Sequence, residues 1–487
     1  MNILFATSEL TPFAKTGGLG DVLAALPARL RENGHSVSVV LPGYREALKA
    51  LPEAQDTALR ITVPLGGDRA TAKIFEARTR EGMKLLLVCK DEFFDRSGLY
   101  GNADSDYTDN ARRFLFFSKV AVELASHLRP RPEVLHLNDW QTAFAAAVVR
   151  QKGLGLKTVL TIHNLTYQGL FAPWDFDLTN LPSDWFDAEG LEFYGKLNLL
   201  KAGIVYADQV TTVSPNYAKE IQGEESGCGL EGLLRSRAAD LTGILNGIDE
   251  EVWNPGKDSR IEQTYGPGDW EAKEACRGRL LKSFGLKPSK QAGPVFACIS
   301  RLVPQKGLDL VAKALPDIVS AGGTFVLLGS GQRTLEQKFL ELAREHSGSV
   351  AVRIGFDEKL AHQIEAGADF FLMPSRFEPC GLNQMYSQRY GTIPIVHRTG
   401  GLADSVEDWQ PRKKRGGGLV FSPCTKAALA KAVGRAFQLR ADPEAWDRIR
   451  RQAMARDFSW TAAARAYEDV YRRACGMEPA SLSQGEP

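Results

Sequence analysis

Short apolar runs alternate with helical patterns along this chain of 487 residues. In its first half the runs fall at residues 2–8, 36–41, 84–89, 134–137, 158–163 and 209–213. Segments with helical spacing of apolar positions follow several of them, at 21–33, 108–127 and 140–150. The runs are mostly continuous rather than alternating, as in strands buried on both faces of a parallel sheet. Strand–helix alternation of this kind predicts a doubly wound α/β domain. After the turn-rich passage LTGILNGIDEEVWNP (241–255) the pattern starts afresh, with strands predicted at 295–300, 324–329, 351–354, 369–373, 393–396 and 419–421. Two Rossmann-like domains facing across a cleft are therefore expected, at 1–247 and 248–458. A terminal helix is expected within 459–478 and a flexible tail at 479–487.

Composition narrows the partners. Sixty basic residues against 59 acidic ones leave a net charge of +1, so no basic excess points to nucleic acid or an anionic membrane. No run approaches the roughly 18 apolar residues of a membrane span, and no cationic segment precedes the first apolar run as in a signal peptide. The seven cysteines form no C-x-x-C pair, which fits free thiols in a reducing compartment. A cytoplasmic protein acting on a small molecule or a neutral macromolecule is expected.

Ligands of open α/β sheets collect beyond the carboxyl ends of the strands, and several such ends carry chemistry. KTGGLGD (15–21) follows the first strand and matches neither common nucleotide fingerprint. Its glycines let backbone approach a ligand, N–H groups of a helix opening at Asp21 favour an anion, and Lys15 adds a charge. A tight turn with a solvated lysine is the plainer reading. TGGLAD (399–404) echoes it after a late strand of the second half, which suggests reuse of one anion-binding device rather than a duplicated domain. HLNDWQ (136–141) puts Asp139 at a strand mouth, where it could also be an N-cap. TIHNLTYQG (161–169) brings His163 to the same sheet edge, where a hydrogen-bonded structural histidine is the plain alternative.

CISRLVPQKGLDL (298–310) leaves a strand with Arg301 and Lys306 ahead of a helix, an electropositive clamp. PSRFEPCGLNQMY (374–386) places Glu378 in a Pro-Cys-Gly turn, able to accept from sugar hydroxyls or to cap a helix. Together these residues suit transfer of a group from a nucleoside diphosphate, whose growing negative charge fixed cations stabilise. The two D-x-D tripeptides, Asp104-Ser105-Asp106 and Asp175-Phe176-Asp177, are as many as chance supplies, and no metal is expected.

Seven motifs in order give the chain a resemblance to the bacterial glycogen synthases and plant starch synthases: KTGGLGDV, HLNDWQ, IHNLTYQG, GILNGIDEEVWNP, SRLVPQKG, PSRFEPCGL and RTGGLADSV. The resemblance implies the GT-B glycosyltransferase fold, no metal or other cofactor, and transfer of glucose with retention. The implied donor is ADP-glucose and the implied acceptor the non-reducing end of glycogen or another α-1,4-glucan. By motif, Lys15, Gly18, Arg301 and Lys306 would hold the diphosphate. Asp139, His163, Asn246, Glu378 and Cys380 would surround the glucose, with Asp21, Gly381 and Leu382 also at the donor. Catalytic roles would fall to Glu378, His163, Asp139, Arg301 and Lys306. Many related retaining transferases carry a second glutamate where this chain has Tyr386, as do the glycogen and starch synthases. Phe356 stands where the family commonly has a tyrosine thought to stack on adenine. The resemblance leaves open a covalent intermediate or a front-face displacement, and His163 is expected to stabilise positive charge on the sugar.

Other readings fit the residues less well. A phosphorylase would carry a lysine-bound pyridoxal phosphate, for which no segment matches. GSGQRT (329–334) only partly resembles a dinucleotide loop. A glucan-binding scaffold without catalysis would have lost Arg301, Lys306 or Glu378. The aromatics Tyr167, Phe171, Trp174, Phe176, Trp185, Phe186, Phe193 and Tyr194 suit either sugar faces or packing. RKKR (412–415) reads as a solvated loop.

Overall fold

The computed structural model describes residues 1–79, 82–102, 105–286 and 293–478. The chain divides into two units, Met1–Gly247 joined by the chain from Trp460 on, and Ile248–Ser459. Asp104 and the tail 479–487 lie outside the described residues. Among the described residues no helix is long and apolar enough to cross a membrane.

The first unit is built on a nine-stranded sheet. Its parallel strands are β1 (Asn2–Ala6), β2 (Ser36–Pro42), β5 (Lys84–Cys89), β6 (Val134–Asn138), β7 (Lys157–Ile162), β11 (Gln209–Thr212) and β12 (Leu241–Gly243). The chain starts in the middle at β1, steps outward through β2 to β5, then returns across β1 to lay down β6, β7, β11 and β12. The order reverses between β1 and β6, and the crevice at such a reversal is where open α/β sheets bind ligands.

At one edge the sheet carries an antiparallel pair, β3 (Gln55–Leu65) and β4 (Asp68–Arg78). Continuous apolar runs did not reveal it, because here burial alternates. Ile61, Val63 and Leu65 are buried while Thr62 and Pro64 are exposed, the signature of a strand covered on one face. The helix Asn110–His127 packs against this strand. A small sheet of β8 (Leu170–Phe171), β9 (Glu192–Phe193) and β10 (Lys196–Asn198) organises the aromatic segment. That segment is tied down by Lys119, whose ammonium donates to Pro64 O, Leu178 O and Asn180 Oδ1 at 2.8–2.9 Å.

The second unit holds six parallel strands, β13 (Val295–Ile299), β14 (Thr324–Gly329), β15 (Val350–Ile354), β16 (Phe370–Met373), β17 (Ile393–His397) and β18 (Leu419–Phe421). It repeats the winding of the first, with the reversal between β13 and β16. Successive residues of each strand serve opposite cores. Phe296, Phe325, Leu327, Phe370 and Leu372 enter one cluster, and Val295, Ala297, Val326, Leu328 and Phe371 the other. Both faces are covered, so the runs read as continuously apolar.

The helix Trp460–Ala474 groups with the first unit. Tyr467 and Tyr471 pack their rings against His136 of β6.

Candidate active site

In the first unit the reversal point is a hydrogen-bonded junction. Asn138, the last residue of β6, donates from Nδ2 to Ala6 O of β1 at 3.1 Å. Its Oδ1 therefore faces the His163 ring, 3.0 Å from Nε2, and fixes the ring proton on that nitrogen. Burial pushes the imidazole down to about 3, so His163 is a neutral group with Nδ1 left as an acceptor.

Asp139 stands at the N-cap position of the helix Trp140–Gln151 but makes no side-chain cap. That corrects the capping reading. With φ at 54°, the residue turns its carboxylate towards the end of β7, where Oδ1 accepts the His163 N–H at 2.7 Å. Burial, aided by the nearby Glu9 charge, pushes the carboxyl up to about 7. Asp139 and His163 are thus one assembly.

The glycine loop differs from expectation. Its helix runs Gly18–Glu32, so it opens three residues before Asp21. Asp21 sits in the first turn and accepts from the Lys15 ammonium at 2.6 Å and from the Thr11 hydroxyl at 3.1 Å. The loop already holds an anion, the chain's own Glu9. Its carboxylate accepts the Thr16 N–H at 2.8 Å, the Thr16 hydroxyl at 2.5 Å, the Gly17 N–H at 3.1 Å and the Tyr100 hydroxyl at 2.9 Å. Gly18 follows as the first helical residue. Asn246, on the segment after β12, is 6% exposed, and among the described residues its Oδ1 has no partner.

In the second unit, loops beyond β13 and β16 meet at the reversal point. Lys306 closes a short 3-10 turn, Pro304–Lys306, and donates to Glu378 Oε2 at 2.5 Å. Ser375 donates to the same oxygen at 3.0 Å. Glu378 is 5% exposed, so its carboxylate depends on these partners. It caps no helix. Arg376 fastens the two loops together, through Asp309 at 2.8 and 2.9 Å and Pro304 O at 2.6 Å. Arg301 is exposed, and among the described residues its guanidinium has no hydrogen bond or ion pair. The expected pair of cations is thus one open guanidinium and one ammonium held by an internal carboxylate.

Cys380 is buried, Gly381 turns at φ 71°, and Leu382 precedes the helix Asn383–Arg389. The TGGLAD echo serves packing. A Cβ on Gly400 would lie 1.9 Å from Glu378 O, and the Gly401 N–H donates to that oxygen at 3.1 Å. Those glycines let a helix start press on the Glu378 backbone. The GSGQRT glycines are explained likewise, since a Cβ at Gly329 or Gly331 would meet Ser300 O or Leu302 O. Phe356 is 81% exposed on the loop after β15.

Among the aromatics, Phe171 packs on Trp140, Phe176 on Phe186, and Trp185 stacks on Tyr206. Tyr167, Trp174 and Tyr194 are exposed. In the RKKR loop, Lys414 pairs with Glu444 and Arg415 with Glu407. Among the described residues no three His, Cys, Asp or Glu side chains cluster as a metal site. The sequence reading passed over Glu9, Tyr100, Asn138 and Ser375. Of these Glu9 left a signal, a lone carboxylate three residues beyond a buried strand.

Residues 2–236 match the model of the starch synthase catalytic domain, and residues 284–453 that of the glycosyl transferases group 1. A glycogen synthase of Myxococcus xanthus is 47% identical over 97% of this chain and 99% of its own. One of Opitutus terrae is 43% identical with the same coverage. Among solved structures, the catalytic domain of Arabidopsis thaliana starch synthase IV, bound to ADP and acarbose, superposes with a TM-score of 0.88 at 33% identity, covering 98% of this chain and 99% of that one. A sucrose-phosphate synthase of Thermosynechococcus elongatus shares the fold, with a TM-score of 0.60 at 17% identity over 98% of this chain and 99% of its own.

Proposed function

This chain belongs to the family of glycogen synthases and starch synthases, and from that premise we propose that it lengthens an α-1,4-glucan with glucose from ADP-glucose, retaining the anomeric configuration. It is a glycosyltransferase with the two-domain α/β fold of the GT-B enzymes, using a nucleotide-sugar donor and a glucan acceptor. ADP as the nucleotide is supported by the starch synthase relative, whose structure holds it.

The observation that carries the assignment of roles is the Lys306–Glu378 pair at the reversal point of the second unit. Arg301 and Lys306 take the donor diphosphate, and their charge stabilises the leaving ADP as the glycosidic bond breaks. As Lys306 turns to phosphate, Glu378 is released to accept from the glucose hydroxyls. In the first unit Lys15 and the Gly18 N–H serve phosphate, and Asp21 holds Lys15 until the donor arrives. Phe356 stacks on the base. Cys380, Gly381 and Leu382 shape the wall around the sugar, and Asn246 offers its unpartnered oxygen to a hydroxyl.

Asp139 and neutral His163 lie on the acceptor side. His163 directs a lone pair, from Nδ1 or the backbone carbonyl, at the cationic sugar of the transition state. Asp139 orients it through the His163 N–H.

The test is transfer of labelled glucose to glycogen from ADP-glucose and UDP-glucose side by side, with a chelator present. Chelator-resistant transfer from ADP-glucose supports the reading. Preference for UDP-glucose overturns the base specificity, and glycogen binding without transfer overturns the reaction.

A further inference from the structure

The carboxylate inside the glycine loop is a paradox for a site that receives a diphosphate. Glu9 lies three residues beyond β1 and is 4% exposed. As a ligand to the donor it would repel. As a scaffold it is well made, because all four groups that reach its two oxygens are hydrogen-bond donors. Its own backbone is fixed by Thr7, whose hydroxyl donates to Glu9 O at 2.9 Å and accepts the Glu9 N–H at 3.2 Å. The Tyr100 hydroxyl, which bonds the carboxylate, is itself 2.8 Å from the Ser8 hydroxyl. Leu10 and Ala14 close the intervening turn through reciprocal backbone hydrogen bonds.

We propose that Glu9 is a positioning residue for donor binding. Its carboxylate orders the loop 15–17 and the helix start that follows, so that Lys15 and the first helical N–H groups face the diphosphate. The inference rests on the donor reading given above. A helix start with glycine at its N-cap and at two of its first three positions has little rigidity of its own, so its shape must come from outside. Glu9 supplies that shape by taking the Thr16 and Gly17 N–H groups. What remains for an anion is the Lys15 ammonium, held by Asp21 until an anion takes it, together with Gly18 and Leu19, whose N–H groups at the helix start have no intrahelical partner and no side-chain cap.

The experiment compares wild type with Glu9→Ala, Glu9→Gln and Thr16→Val. It reads donor KM and kcat in glucan transfer, and amide hydrogen exchange of the loop without substrate. Glu9→Ala is expected to speed exchange at residues 16–18 and to raise the ADP-glucose KM roughly ten- to hundredfold, with a smaller fall in kcat. Glu9→Gln keeps an oxygen for the two N–H groups and turns its amide to the two hydroxyls, so it restores most of the affinity. Thr16→Val, at an exposed position and with the Thr16 N–H bond to Glu9 kept, raises KM in the same direction by less, and serves if Glu9→Ala does not fold. An unchanged KM in Glu9→Ala (or in Thr16→Val where it stands in), unchanged exchange, or Glu9→Gln as impaired as Glu9→Ala would overturn the proposal. If wild type transfers no glucose, the exchange comparison still judges the loop, and it is the functional reading that falls.

Discussion

The ammonium of Lys306 lies 2.5 Å from the carboxylate of Glu378, whereas Arg301 on the same strand-end loop is open to solvent. The two cations therefore differ in what their loss does. Arg301→Ala is expected to lower turnover roughly 10²–10³-fold, as for other preorganised charge donors, with the melting temperature unchanged. Lys306→Ala loses turnover similarly and also strands a buried carboxylate, which costs roughly 1–3 kcal/mol of stability. Adding Glu378→Gln to Lys306→Ala should restore melting without restoring turnover. Equal melting of the two single variants would contradict this division.

Phe356 offers a test of base recognition. A ring 81% exposed on the loop after β15 contributes little to folding. Stacking on a nucleic-acid base is worth roughly 1–3 kcal/mol, so Phe356→Ala should raise the donor KM about tenfold and leave kcat and melting alone. Phe356→Tyr keeps the stack and should stay near wild type. A KM unchanged in Phe356→Ala would remove the residue from the donor site.

Most of the parallel strands were legible because they are buried on two faces, whereas β12, three half-buried residues inside the turn-rich passage 241–255, was not. The pair β3 and β4 was not, because one-sided burial breaks the run into alternation. Strand ends pointed to Lys306, Glu378, Asp139 and His163, since each stands at the end of an apolar run or within six residues beyond it. What they touch was out of reach. Nothing local to residues 374–386 says that Glu378 meets Lys306, 72 positions away. Asp139 looked like a helix cap, and only a φ of 54° turns it to the next strand. Glu9 stands just past the first apolar run, and its hydrogen bond to Tyr100 spans 91 positions.

Asp139 predicts a pH dependence with a definite sign. Its carboxyl is raised from 3.8 to about 7 by burial, so between those values the native state holds more protons than the unfolded chain. Its contribution to stability is therefore largest in acid, falls as pH rises through that window, and levels off above it. Asp139→Asn keeps an acceptor for the His163 N–H and removes the titration. The melting temperature of the variant relative to wild type should rise between pH 4 and pH 8. A constant offset across that range would show that Asp139 does not titrate there.

The last helix gives a prediction on stability. His136 in β6 is fully buried, with Nδ1 2.8 Å from the Tyr471 hydroxyl and Nε2 2.6 Å from the Thr161 hydroxyl. Burial pushes its imidazole down to about 3, so both nitrogens need neutral partners. Between about 3 and the ordinary 6.5 the unfolded chain binds the extra proton, so this site's contribution to stability is lost as pH falls through that window. Tyr471→Phe removes the partner of Nδ1 and should cost roughly 1–3 kcal/mol, read as a lower melting temperature at neutral pH. Ending the chain at Ser459 also removes the Tyr467 and Tyr471 rings that cover His136, and should lower melting further still. If the shortened chain melts with the full-length protein, the helix only decorates the first unit. If it melts well below Tyr471→Phe, the helix is part of the core of that unit.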